Sequence, residues 1–214
     1  MPVDSERFTE AIRRFDAANA EDPHHEVVDG TSYPKELLYS QRMTAWLERF
    51  APDASEALRL AARCQHIRRW MIPRNQYPMD LRGYLQWRTT LGKFHAETAA
   101  TILQEVGYGE ATIRRVRSLL RKEGLKRDLE VQCLEDVICL VFLESYCADF
   151  AGQHESAKAL SILRKTWSKM SPRGREVARM AGLRMDVQRL IDAALAAGPD
   201  DVSEVQSDQT SDER

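Results

Sequence analysis

The chain has few of the residues that interrupt helices or build disulfide frameworks. Its 214 residues include 10 glycines, 8 prolines and 4 cysteines, and no two cysteines have Cys-x-x-Cys spacing. Low glycine and proline, without segments of alternating β-branched residues, argue against a β-rich fold. The cysteine spacing argues against a zinc ribbon or a disulfide framework and favours buried thiols in a reducing compartment.

Long apolar runs are missing as well. No stretch of 18 apolar residues occurs, and Met1 to Arg7 has neither the basic nor the apolar part of a secretory signal. We therefore expect a soluble, cytoplasmic protein with no membrane partner. The net charge of −2 is also less basic than is usual for a general nucleic-acid-binding protein.

The residues that are present favour helices. Apolar residues make up 43% of the chain and recur at helical spacing between capping residues. We expect one all-α domain over residues 1–197, an orthogonal helical bundle, followed by a disordered acidic tail over residues 198–214. The predicted helices run from after Asp4 to Ala18, from Pro34 to Phe50, from Ser55 to Trp70, from Leu81 to Val106, from Gly109 to Glu123 and from Asp128 to Phe150, with shorter ones to Leu195 and a loop from Glu21 to Pro34.

One segment is rich in arginine and lacks lysine. Arg59 to Arg88 contains seven arginines, one acid, four large aromatic residues and a loop with two prolines. The planar guanidinium grips phosphate or carboxylate at two points, although arginine stems also simply cover apolar surface. The pattern favours a small anionic ligand that contains phosphate, with RNA as the weaker alternative. The candidate ligand-binding residues are Arg63, Arg69, Arg74, Tyr77, Arg82, Tyr84, Trp87 and Arg88, together with Lys165 and Lys169 from a later basic segment.

Two histidines share helical stripes with these arginines. Arg63 precedes His66 and Arg88 precedes His95 at spacings that place each pair on one helix face. If the two faces meet, both imidazoles and both guanidiniums line one cleft.

The predicted sixth helix carries two acids, Glu135 and Asp136, inside an apolar run. Buried carboxylates need arginine, histidine or a metal nearby. One interpretation is an arginine–carboxylate clamp that holds the bundle together. The other is a site for a divalent metal ion with His66, His95 and Asp136 as ligands.

The strings Leu60–Ile67, His95-Ala96-Glu97 and Leu134-Glu135-Asp136 resemble the HD-domain metal-dependent phosphohydrolases. The resemblance implies an HD-like helical fold, with His95 as the later histidine of that family and Asp136 as its metal-binding aspartate. Where HD proteins have a His-Asp pair, this chain has either Gln65-His66 in its place or His66 alone before Ile67.

A longer resemblance covers nearly the whole chain to about Leu183. The strings Ala62–Trp70, Gly83–Arg88, Phe94–Glu97 and Arg164–Ser171 resemble the uncharacterised domain-of-unknown-function family 4202. That family implies no established activity.

Two functions follow as alternatives. The first is an HD-like metal-dependent hydrolase of a nucleotide or small phosphate ester, in which Glu97 or Glu135 assists proton transfer. The second is a non-catalytic module that binds an anionic metabolite, a nucleotide or RNA in the same cleft. The acids Glu135 and Asp136 favour the hydrolase, because anion binding alone gains nothing from carboxylates.

Overall fold

A computed structural model describes residues 5–196, which fall into two compact units, residues 5–124 and residues 125–196. Both units are built from helices, so the predicted all-α class is confirmed. The single domain expected over residues 1–197 stays a prediction, and each unit is described by itself. The expected acidic tail, residues 198–214, lies outside the described residues.

The first unit combines five α-helices with a β-hairpin and two short 3-10 helices in its described part. In chain order these are α1 (Ser5–Ala20), β1 (His25–Val28), β2 (Thr31–Pro34), α2 (Lys35–Phe50), α3 (Glu56–Arg63), 3-10 helices at Arg69–Met71 and Arg74–Gln76, α4 (Leu81–Glu105) and α5 (Glu110–Leu120). Helix α5 packs against α3 and α4, and α2 packs against α1 and α3. The buried apolar faces form a core whose largest side chains include Phe15, Met43, Trp46, Leu58, Leu60, Ile67, Leu103 and Leu119.

The second unit is built around one buried helix. Its elements are α6 (Leu129–Ser145), α7 (Cys147–Gly152), α8 (Ser156–Lys169), α9 (Pro172–Met180) and α10 (Met185–Ala196). Helix α6 is buried along most of its length, as its apolar sequence predicts, and α7, α8 and α9 pack against it. None of the helices in residues 5–196 is both long and apolar enough to cross a bilayer.

Helix α4 starts at Leu81, as the sequence predicts, and Asp80 caps its first turn. The carboxylate of Asp80 accepts a hydrogen bond from the Gly83 N–H at 2.6 Å. A Cβ atom on Gly83 would lie 2.0 Å from the carbonyl oxygen of Pro78, so only glycine allows this approach. The arginine-bearing loop is thereby fixed against the first turn of α4.

The loop predicted from Glu21 to Pro34 is wrong, because this segment contains the β1–β2 hairpin. Its turn residues Asp29 and Gly30 both have positive φ, 49° and 77°, as in the type I′ turn that matches strand twist. The strands have four residues each, which is too short for alternation to stand out in the sequence.

Two predicted helices also end early. The helix expected from Ser55 to Trp70 ends at Arg63, and Arg68 further along takes a left-handed conformation that no α-helix can continue. The helix expected from Asp128 to Phe150 is divided into α6 and α7 at Tyr146, whose φ of −126° is not helical.

Candidate functional site

The residues predicted for one cleft are divided between the two units. The arginine- and histidine-bearing segments belong to the first unit, whereas Glu135, Asp136, Lys165 and Lys169 belong to the second. Within the first unit the structure brings both predicted histidines together with Arg69.

A sharp corner after α3 positions the first histidine segment against α4. Arg68 has φ 51° and ψ 34°, and its N–H donates to Oδ1 of the buried Asn19 at 3.0 Å. A residue other than glycine in this conformation costs about 1–2 kcal/mol. The residue before the corner, Ile67, has its carbonyl oxygen 2.8 Å from Nδ1 of His95 on α4. The corner therefore fixes the His95 ring.

His95 is buried and held in one tautomer. Because the Ile67 carbonyl can only accept, Nδ1 of His95 carries the proton, and Nε2 of the neutral ring has a lone pair. Nε2 is buried and has no hydrogen-bond partner among residues 5–196. An acceptor of this kind is costly to bury without a donor, by about 1–3 kcal/mol.

The pKa of His95 lies well below its ordinary value. Burial is the main cause, because it disfavours the charged ring. The charges of His66, Arg69 and Arg88 lower the pKa further, and the hydrogen bond to Ile67 opposes them only in part. His95 is therefore neutral at neutral pH.

Side chains from α2 and from the corner surround the second histidine. The His66 ring stacks on Tyr39, with centroids 4.1 Å apart, and its centroid lies 5.9 Å from that of His95. One oxygen of Glu36 lies 3.4 Å from Nδ1 of His66, and the other lies 3.9 Å from Nε of Arg69. A carboxylate behind an imidazole orients the ring. We call Glu36, Tyr39, His66, Arg69 and His95 the histidine site.

Trp87 connects the histidine site to the arginine loop. The guanidinium of Arg69 lies 4.8 Å from the centroid of the Trp87 ring, within the range of a cation–π contact. The indole N–H of Trp87 donates to the carbonyl of Ile72 at 2.9 Å. Trp87 is almost fully buried and does not offer an open face to a ligand.

Arg74 is hydrogen-bonded to the backbone of its own loop. Its side chain is only 2% exposed, and its guanidinium donates to the backbone carbonyls of Tyr77 at 3.1 Å and Asp80 at 3.4 Å. These contacts account for its place in the loop. Its predicted role in ligand binding stays a prediction.

Arg63 and Glu97 contact other parts of the first unit. Arg63 forms a two-point ion pair with Asp16 of α1. Glu97, predicted as a catalytic residue, is half exposed and binds Arg117 at 2.9 Å and Arg121 at 2.5 Å. The other predicted residues of this unit are Arg82, which is exposed, and Tyr77, Tyr84 and Arg88, which are half-buried.

In the second unit, Asp136 is hydrogen-bonded to the start of α9. Its carboxylate accepts from the N–H of Ser171 at 2.7 Å and from the Ser171 hydroxyl at 2.5 Å. The side-chain amide of Gln132 donates to the same carboxylate at 3.1 Å. Glu135 is buried on α6, whereas Lys165 and Lys169 are exposed on α8.

Among residues 5–196, no group of three or more His, Cys, Asp or Glu side chains is placed so as to hold a metal ion. The histidine site contributes two imidazoles. The metal-binding roles of His66, His95 and Asp136 stay predictions.

Sequence reasoning missed Tyr39 of α2 as a member of the site. Its side chain is buried, and its ring stacks on that of His66 with centroids 4.1 Å apart. Residue spacing gives no sign of this contact, because Tyr39 and His66 lie on separate segments.

The family of the chain follows from a comparison with family models. The model described as a domain of unknown function, DUF4202, matches residues 9–191. The chain belongs to the DUF4202 family. The match spans both units, so the histidine site and the α6–α9 contact both lie inside the DUF4202 region. No curated protein and no solved structure matches the chain significantly.

Proposed function

We propose that the protein is an HD-like hydrolase that acts on a nucleotide or small phosphate ester at the histidine site. The observation that carries the proposal is the buried, neutral His95, whose Nε2 has no hydrogen-bond partner among the described residues. The neutral ring has a lone pair that can accept a proton from water, and an anionic substrate bound beside the ring would offset the positive charges that lower its pKa.

The groups around His95 fit this chemistry. Arg69 and His66 both lie beside Glu36, and the His66 ring lies beside that of His95, so an anion held by Arg69 would belong to the same group of side chains as His95. In the proposed step, Nε2 takes a proton from water as the water oxygen bonds to phosphorus. The ester oxygen leaves with the electrons of the broken P–O bond.

His66 and Glu36 would support the water and the phosphoryl group. The carboxylate of Glu36 lies near Nδ1 of His66, and stacking on Tyr39 holds the ring plane. A ring held on both sides keeps its remaining nitrogen in a fixed direction, which is what positioning of a reacting water requires.

The divalent metal ion of HD hydrolases is only partly accommodated. Two imidazoles from separate segments suit such an ion, but the described residues contain no three-ligand group around them. In the second unit, Asp136 already accepts hydrogen bonds from Ser171 and Gln132. We therefore derive no step through a metal.

The incomplete ligand set favours a second candidate, a non-catalytic module that binds an anionic metabolite, nucleotide or RNA. The same arginines would hold the anion, and His95 would accept a hydrogen bond from a ligand hydroxyl or amine. This candidate differs from the hydrolase in that binding occurs without turnover.

The test is hydrolysis of a panel of nucleotides and small phosphate esters by wild type, His95→Asn and His154→Asn. Asparagine can still donate to the Ile67 carbonyl but lacks the Nε2 lone pair. His154 is the matched control, because its Nδ1 also lies 2.9 Å from a backbone carbonyl, that of Phe150.

We expect wild type and His154→Asn to release phosphate, and His95→Asn to be slower by about 100-fold or more. Equal rates for His95→Asn and wild type would contradict the role of His95. If wild type binds nucleotides without any hydrolysis, the binding module is the correct function.

A further inference from the structure

Asn19 is a fully buried asparagine near the end of α1, and its side chain contacts the corner at Arg68. Oδ1 of Asn19 accepts a hydrogen bond from the N–H of Arg68 at 3.0 Å. The amide nitrogen of Asn19 is also buried and has no hydrogen-bond partner in the described part of the chain. The bond to Arg68 therefore accounts for the polar side chain at this buried position.

The N–H of Arg68 belongs to the same peptide group as the carbonyl of Ile67. A trans peptide group is planar, and its N–H and C=O point in opposite directions. The N–H is bonded to Asn19, and the carbonyl oxygen lies 2.8 Å from Nδ1 of His95. One rigid group therefore connects the side chain of Asn19 to the ring of His95.

This peptide group has a second orientation, which a rotation of its plane by about 180° would reach. In that orientation the N–H of Arg68 would donate to Nδ1 of His95, so the neutral ring would carry its proton on Nε2. The rotation would also take φ of Arg68 from 51° into the negative region, which residues other than glycine prefer. The orientation of one peptide group decides which nitrogen of His95 has the lone pair.

We propose that Asn19 is a positioning residue for His95, which holds the Ile67–Arg68 peptide in its strained orientation and so keeps the lone pair on Nε2. This inference rests on the proposed function, in which Nε2 accepts the proton of water. The hydrogen bond from the N–H of Arg68 to Asn19 offsets the preference of Arg68 for negative φ. Asn19 acts on the ring through the peptide group and not on the substrate.

The test compares wild type with Asn19→Leu, with the double variant Asn19→Leu/Arg68→Gly and with Asn75→Leu. Leucine has the branched shape of asparagine but bonds to neither end of the peptide group, so the preference of Arg68 decides the orientation. Glycine takes the left-handed conformation without strain. Asn75→Leu is the control, because Asn75 is exposed in the short helix Arg74–Gln76.

Two readouts are taken on each protein at about pH 7.5, where the ring of His95 is neutral. The NMR chemical shifts of the two ring nitrogens distinguish the nitrogen with the proton from the nitrogen with the lone pair. The signals of His95 are those missing in His95→Asn. Phosphate release is measured with the ester that wild type hydrolyses fastest. An asparagine that only supports the fold would not move the proton from one ring nitrogen to the other.

Wild type and Asn75→Leu are expected to carry the proton on Nδ1 of His95. Asn19→Leu is expected to carry it mainly on Nε2 and to release phosphate about tenfold more slowly. The double variant is expected to return the proton to Nδ1, with a rate within about threefold of wild type. A folded Asn19→Leu with its proton on Nδ1 would overturn the proposal. A double variant with its proton still on Nε2 would also overturn it, because strain at Arg68 would then not be what Asn19 opposes.

Arg68→Val tests the inference without a change in the core. A β-branched residue disfavours positive φ more strongly than arginine does, so we expect the proton to shift toward Nε2 and phosphate release to slow. Arg68→Gly is its matched control, because both variants remove the ion pair of Arg68 with the exposed Glu21. Arg68→Gly is expected to keep the wild-type spectrum and rate. Equal ring spectra in the two variants would contradict the inference even if Asn19→Leu does not fold.

The inference and the proposed function fail in different ways. If Asn19→Leu moves the proton but wild type releases no phosphate, the positioning of the ring stands and the hydrolase function fails. If His95→Asn is slow but Asn19→Leu keeps its proton on Nδ1, the hydrolase function stands and only the inference on Asn19 fails.

Discussion

The guanidinium of Arg63 donates to both carboxylate oxygens of Asp16 at 2.6 Å, and to the hydroxyl of Thr44 at 3.1 Å. These contacts connect α3 to α1 and α2. We expect Arg63→Met to lower the free energy of unfolding by about 1–2 kcal/mol, less than for a fully buried pair because Asp16 is partly exposed. Urea unfolding measures this loss.

The same variant separates a structural arginine from a ligand-binding one. We expect Arg63→Met to bind methyl phosphate as wild type does, since Arg63 is engaged with Asp16. Arg82→Met is the control, because Arg82 is exposed and its replacement should change stability by less than about 0.5 kcal/mol. If Arg63→Met binds methyl phosphate much more weakly than wild type but is equally stable, Arg63 contacts the ligand.

At the scale of single residues, the sequence predicted part of the histidine site. The pairing of His66 with His95 was expected from arginine–histidine stripes, and the rings do lie near each other. The rings meet in a way that the stripes did not predict, because His66 follows the end of α3 and is not on a continuous helix with Arg63. Tyr39 was missed because its stacking on His66 depends on the fold of a separate segment, which residue spacing does not reveal.

At the scale of elements, α6 and α9 pack too closely for a side chain at Gly174. A Cβ atom there would lie 2.7 Å from Cγ of Asp136, whose carboxylate holds Ser171 at the α9 cap. We expect Gly174→Ala to force α9 away and to lower the free energy of unfolding by about 1–3 kcal/mol. Chemical denaturation monitored by circular dichroism measures this change.

Gly152 is the matched control for that substitution. It lies in α7 of the same unit, and a Cβ atom there would meet nothing within 4 Å. Gly152→Ala should be neutral or slightly stabilising, because alanine loses less backbone entropy in a helix. If Gly174→Ala is as stable as Gly152→Ala, the close packing of α9 on Asp136 is not rigid.

Helix starts were easier to predict from the sequence than helix ends. Helices α3 and α4 start within one residue of the predicted positions, because the side-chain oxygens of Ser55 and Asp80 bond directly to the backbone of the first turn. The corner at Arg68, which keeps the helix from continuing to Trp70, was not predictable, since the left-handed Arg68 is held by Asn19, a contact across 49 residues. Arginine itself carries no sign of that conformation.

For the whole molecule, His95 should make stability depend on pH. Its folded pKa lies well below 6.5, the ordinary value that applies in the unfolded chain, so acid protonates the unfolded state first. Stability is therefore fully present above about pH 6.5 and falls as the pH drops below it. Between about pH 7.5 and pH 5.5, one such group removes about 1.4 kcal/mol.

The variant His95→Asn isolates this contribution from other acid-sensitive groups. Glu10, whose pKa is lowered to about 2 by its hydrogen bonds to Arg13 and Arg14, loses its contribution only below about pH 4.5 and so does not act in this range. Urea unfolding at both pH values should show a smaller loss of stability in His95→Asn than in wild type, by about 1.4 kcal/mol. Because asparagine keeps a donor for the Ile67 carbonyl, the difference reports the ring's titration and not the lost hydrogen bond. Parallel losses in the two proteins would mean that His95 titrates in the folded chain as it does in the unfolded chain, which would contradict the lowered pKa of the buried ring.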